Sequence, residues 1–178
     1  MEKLYCNQEV FKSANDVEKM IEYFKKAESP DCHSIFILSC NTPMKIREIL
    51  SLKWWQLTSP QTNEVRSCIP DHNIYLNSVC RAAIRTYCAA AKIDPSEDAY
   101  DNAVFSITYN QYLSKLKGVA KEAGIDYRVG ANSARFWLMN TMRNYIKSEL
   151  YIPTNGYRGM TKKQRNKYYE ELANFFTS

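Results

Sequence analysis

Thr42-Pro43-Met44-Lys45-Ile46-Arg47-Glu48-Ile49-Leu50-Ser51-Leu52-Lys53-Trp54-Trp55-Gln56-Leu57 is the stretch on which the reading of this chain turns. Threonine before proline is a helix-start pattern. The hydroxyl can cap, and proline at the first helical position loses only an N–H that would go unused. The segment therefore predicts a helix that opens at Pro43 and carries Lys45. Trp54 has the aromatic bulk to cover that helix in a core.

Upstream, Ser13-Ala14-Asn15-Asp16 is a capped start, followed by Val17, Met20, Ile21 and Phe24 at helical spacing. Ser29-Pro30-Asp31 ends that helix, and a second, mostly buried one runs through Ile35, Phe36, Ile37 and Leu38. Downstream, Ser59–Asn63 is turn material and Glu64–Pro70 is the best strand candidate. Helical spacing resumes around Ile74, Leu76, Val79, Cys80, Ala83, Ile84 and Tyr87, and Asp94–Asp98 is a loop. Val104–Ile107 is too short to assign. An amphipathic helix with Tyr112, Leu113, Leu116, Val119 and Ala120 ends at Gly124, and another runs from about Asn132 to Leu150. Pro153, Gly156 and Gly159 punctuate a loop before a last helix with Leu172, Phe175 and Phe176. The fold class is mainly α with a small antiparallel β element.

At 178 residues the chain is most simply one domain, long enough to bury about 70% of its unfolded surface. No apolar run approaches the roughly 20 residues of a membrane span, and the first residues lack the apolar core of a secretory signal. Six cysteines without CxxC pairs read as reduced, buried thiols of a cytoplasmic protein. Two histidines without ligand spacing argue against zinc, and nothing in the sequence implies a cofactor. The charge of +5 is unevenly placed: residues 127–178 hold nine basic and three acidic side chains, so the rest sums to −1. Such segregation fits either a patch facing a polyanion or a solvated helical face.

The opening stretch resembles the signature of tyrosine recombinases (the phage-integrase family), which reads Gly-Leu-Arg-Ile-Ser-Glu-Leu-Leu-x-Leu-x-Trp-x-Asp-Ile. Glu48, Leu50, Leu52 and Trp54 fall in register. Lys45 stands where the family keeps its first phosphate-clamping arginine, and Arg47 stands at a small-residue position. The resemblance continues through Phe105-Ser106 to Gly124-Ile125, the stretch before the family's second motif, His-x-x-Arg. Here that motif is Asn132-Ser133-Ala134-Arg135: the arginine is kept and the histidine replaced. The family's Leu-Gly-His falls at Gly156-Tyr157-Arg158, with Arg158 in the place of a phosphate-supporting histidine or tryptophan. The nucleophile, about 33 residues beyond the arginine, matches Tyr168, with Tyr169 next to it. The β-hairpin that carries the family's catalytic lysine looks shortened. No lysine lies between Lys53 and Lys92, and besides the arginines of the following helix only Arg66 is basic there.

The resemblance implies the catalytic-domain fold of that family over residues 1–178, without its N-terminal DNA-clamping domain. It also implies a chemistry in which a tyrosine hydroxyl attacks a DNA phosphodiester. A phenol with a pKa near ~10 needs help to do so. Two arginine forks stabilise the phosphorane and a lysine protonates the leaving oxygen. Lys45 offers a point charge without a fork, and Asn132 is neither acid nor base at neutral pH. The expected function is binding of double-stranded DNA without strand cleavage, in a regulatory role of the phage- or mobile-element-repressor kind. The contacts would come from Lys45, Arg47, Asn132, Arg135, Arg158, Lys162, Lys163 and Arg165. An active recombinase using Tyr168, Arg135, Lys45 and Arg158, and a helical interaction module that never touches DNA, are the alternatives. By the family's habit of exchanging C-terminal helices, Leu172, Phe175 and Phe176 are candidate contacts in a homo-oligomer.

Overall fold

Helix α2 (Pro30–Asn41) is apolar on nearly every side, and a helix with no polar face belongs in the middle. Every residue from Ser34 to Asn41 is buried, and α1, α3, α5, α6, α7 and α8 all pack against it. The computed structural model describes residues 10–59, 62, 64–95, 100–149 and 161–175, without the side chains of 143, 145–149 and 175. In chain order the elements are α1 (Ala14–Lys26), α2, α3 (Ile46–Leu50), α4 (Trp54–Leu57), β1 (Cys68–Ile69), β2 (Ile74–Tyr75), α5 (Ser78–Ala91), α6 (Tyr109–Glu122), α7 (Ser133–Glu149) and α8 (Lys162–Phe175). The architecture is mainly helical with one two-stranded antiparallel sheet, in which Cys68 faces Tyr75 and Ile69 faces Ile74.

Local chemistry accounts for the boundaries. Ser13 caps α1, its Oγ accepting from the Asp16 N–H at 3.1 Å, and Val17, Met20 and Phe24 enter the core. Thr108 and Gln111 form a reciprocal capping box on α6, and Gly124 adopts φ +73° just beyond its end.

Two expected starts are corrected. The helix of the first motif begins at Ile46, with Lys45 as its N-cap, and not at Pro43. Thr42 closes α2 instead: its extended backbone ends that helix and its Oγ1 donates back to the Leu38 carbonyl at 2.8 Å. The motif is also two short helices, α3 and α4, since Ser51 closes the first and an antiparallel bridge from Lys53 to Ala103 separates them. Likewise Ile74 and Leu76 precede α5. Asn73, at φ +48°, turns the chain into β2, and Asn77 caps α5 by accepting from the Cys80 N–H at 3.0 Å.

Trp54 is 2% exposed and its ring stacks on Tyr87, centroids 6.2 Å apart. The five described cysteines are free, and burial with Asp31 alongside pushes the Cys32 thiol up to about 12. Among the described residues no helix is long and apolar enough to cross a membrane. The loop around Pro153, Gly156 and Gly159 lies outside the described residues.

Candidate nucleic-acid interface

The two sequence motifs meet at one corner. Lys45 is exposed at the start of α3, where its backbone N–H donates to Glu48 Oε2 at 2.7 Å. The next free amide, Ile46 N–H, donates to Asn132 Oδ1 at 3.4 Å across 86 residues of sequence. Arg135, one turn further along at the start of α7, donates from Nε to the Pro43 carbonyl at 2.6 Å across 92 residues. That bond fixes one edge of the guanidinium beside the Lys45 turn, and Arg135 remains half-buried. Arg47 lies on the exposed side of α3, its guanidinium carbon 5.0 Å from the centroid of Tyr109. Asn132 and Arg135 are thus held beside the Lys45 turn, while Arg47 lies against Tyr109 of α6.

The second cationic group is the first turn of α8. Lys162 and Lys163 are exposed and Arg165 is half-buried. Thr161 and Gln164 cap this turn reciprocally, with the Thr161 N–H donating to Gln164 Oε1 at 2.9 Å. Lys167 pairs with Glu171 at 3.5 Å on the same helix. Arg158 lies outside the described residues.

Tyr168 is not brought to Arg135. Its side chain is 3% exposed, and it lines a cleft of about 580 Å³ with Phe11, Trp137, Asn140, Asn144 and Leu172. Trp137, Asn140, Thr141 and Asn144 recur at helical spacing, so they share a face of α7. At 3.6 residues per turn that face lies about half a turn round the helix from Arg135. Tyr169 packs edge-on to Tyr168, with centroids 5.8 Å apart, and is buried as well.

What holds α8 in place was not singled out in the sequence. Asn77 Nδ2 donates to Asn41 Oδ1 at 2.8 Å and to the Tyr169 carbonyl at 2.9 Å. Asn41 Nδ2 donates to the Ile37 carbonyl at 2.9 Å, so this buried chain of amides ties α2, α5 and α8 together. Nearby, Tyr75 Oη and Ser78 Oγ donate to the two carboxylate oxygens of Glu170. Leu172 is 7% exposed and packs within its own chain. The Phe175 side chain and Phe176 lie outside the described residues. The one visible signal was Asn77 before Ser78, an N-cap pattern.

Arg66 is a clamp on the fold. Its Nε donates to the Trp55 and Thr58 carbonyls at 3.2 and 2.8 Å, and its Nη2 reaches Tyr100 Oη at 3.3 Å. No cluster of three metal-ligating side chains occurs among the described residues. Burial, with Lys25 adding to it, lowers His33 to about 4, so the imidazole is neutral at pH 7. The corner therefore offers cations, one amide and the Glu48 carboxylate, which accepts from the Lys45 N–H. Comparisons with protein-family models, with curated proteins and with solved structures find no match to this chain.

Proposed function

We propose that this chain binds double-stranded DNA through the Lys45–Arg135 corner, on a scaffold akin to a tyrosine-recombinase catalytic domain, and does not cut it. The observation that carries this reading is the junction of the two motifs. Segments some 90 residues apart are joined by the Ile46–Asn132 and Pro43–Arg135 hydrogen bonds, and a phosphate site shared by the two motifs would need such a junction. Phosphate contacts give affinity without chemistry, because cations neutralise the backbone and release counterions. Three features weigh against cleavage. Lys45 has no planar fork, the Asn132 oxygen is occupied as a helix cap, and Tyr168 is buried, lining a cleft on a face of α7 about half a turn from Arg135. A regulatory role, occupying a recombination or operator site without breaking it, suits such a binder.

The test is fluorescence anisotropy with a labelled duplex. For four phosphate contacts, affinity should fall about a hundredfold between roughly 50 and 200 mM salt. Failure to retain the duplex at low salt, or an unchanged Kd in Arg135→Ala, rules the proposal out.

A further inference from the structure

We propose that the cleft between α5 and the segment leading into β1 is an anion site suited to a phosphate group. It shares no residue with the Lys45–Arg135 corner. The cleft has a volume of about 530 Å³ and is lined by Arg66, Ser67, Ser78, Arg81 and Arg85, with Glu64 at its edge. Ser78, Arg81 and Arg85 recur at three- and four-residue spacing, so they line one face of α5. Arg66 comes from the opposite wall. Its three hydrogen bonds to Trp55, Thr58 and Tyr100 prevent it from swinging out into solvent.

Three guanidinium groups therefore share one concavity with the Glu64 carboxylate in its lining and the Glu170 carboxylate at its Ser78 end, and no ion pair within 4.0 Å neutralises any of the three among the described residues. Like charges gathered in a concave, partly desolvated place repel one another more than they would on an open surface. An anion relieves that repulsion. Several forks and hydroxyls converging from two walls match a tetrahedral group with three or four acceptor oxygens better than a flat carboxylate with two. At the Ser78 end the carboxylate of Glu170 already accepts from Ser78 Oγ at 3.4 Å, so the anion belongs at the arginine end.

The probe is inorganic pyrophosphate, titrated into the full chain at constant ionic strength while the arginine Nε–Hε signals are followed by NMR. Saturable shifts at Arg66, Arg81 and Arg85 are expected. The Arg81→Gln/Arg85→Gln double variant should bind at least tenfold more weakly, with Arg135→Gln unchanged. Should the double variant not fold, the single Arg85→Gln change, at an exposed position, should still weaken binding at least threefold. Linear drift matched by chloride, or undiminished binding in the Arg81 and Arg85 variants, overturns the proposal. A duplex that displaces pyrophosphate identifies the source as a phosphodiester backbone. A duplex that binds without displacing it identifies a free phosphate-bearing molecule. Because Arg135→Gln removes the proposed DNA contact and leaves this cleft intact, the two proposals fail separately.

Discussion

The two sides of α7 differ in what they hold. Toward α3 lies Arg135, tied to a backbone carbonyl beside the exposed Lys45; toward α8 lies Tyr168, shut into an apolar cleft. One side has the exposed Lys45 and the half-buried Arg135, while the other has the candidate nucleophile, 3% exposed. A phosphate held at the first side is on the wrong side of a helix, about 10 Å across with its side chains, from the phenol at the second. On the proposed DNA-binding reading, the clamp and the candidate nucleophile lie on different sides of α7, and the α8 anchor keeps Tyr168 on its side.

The largest expected effect comes from releasing that anchor. Asn77→Ala removes the cap of α5 and the bonds to Asn41 and the Tyr169 carbonyl, leaving both partners buried. Stranding buried polar groups costs about 1–3 kcal/mol each, so a loss of about 3–5 kcal/mol is expected in urea unfolding. A loss below about 1 kcal/mol would mean that α8 is held by something else, and the contrast between the two sides would lose its structural basis.

Acid tests the packing behind the same anchor. His33 on α2 lies against Val79 and Ala83 of α5, and its pKa is lowered to about 4 by burial and Lys25. The unfolded chain takes up the proton first. Stability attributable to this residue is therefore complete above about pH 6.5 and declines by about 2–3 kcal/mol as the pH falls toward 4. His33→Gln should flatten that part of the pH profile, and a profile identical to the parent chain would refute the burial argument.

On the other side, Arg135→Gln should weaken duplex binding about tenfold, or about 1.4 kcal/mol, while leaving urea stability within about 1 kcal/mol. Equal losses in both measurements would make Arg135 a structural tie to Pro43 and nothing more. Glu48→Ala tests the turn beneath it. Losing the bond from the Lys45 N–H should cost about 1 kcal/mol of stability, with a smaller change in DNA affinity.

How much of this was legible follows from which interactions are local. The cap at Ser13 and the end of α6 at Gly124 depend on neighbours within a few residues, and the sequence displays them. Thr42 misled because its hydroxyl can bond forward as an N-cap or backward to the carbonyl four residues earlier, and only the packing of α2 decides. Ile74 and Leu76 fit a helical stripe or a strand equally well until Asn73 takes a left-handed turn. Lys45 and Arg135 could be proposed from motif spacing. That Asn132 would cap α3, that Asn41 would meet Asn77, and that Arg81 and Arg85 would face Arg66 are long-range juxtapositions with no periodic trace.

The smallest expected effect makes the sharpest use of the contrast. Lys45→Arg introduces the residue type that the tyrosine-recombinase motif has at the position Lys45 resembles. A planar fork can hold two phosphate oxygens where an ammonium holds one, so duplex affinity should rise about threefold. Cleavage should not return. The exchange puts a better clamp on the α3 side of α7 and does nothing to the cleft that encloses Tyr168. A nicked suicide duplex incubated with Lys45→Arg should give no covalent adduct on a denaturing gel. An adduct that forms, and disappears in Lys45→Arg/Tyr168→Phe, would mean that α8 leaves its anchor to deliver the phenol. The division between a binding side and a buried nucleophile would then be a resting state of a working enzyme.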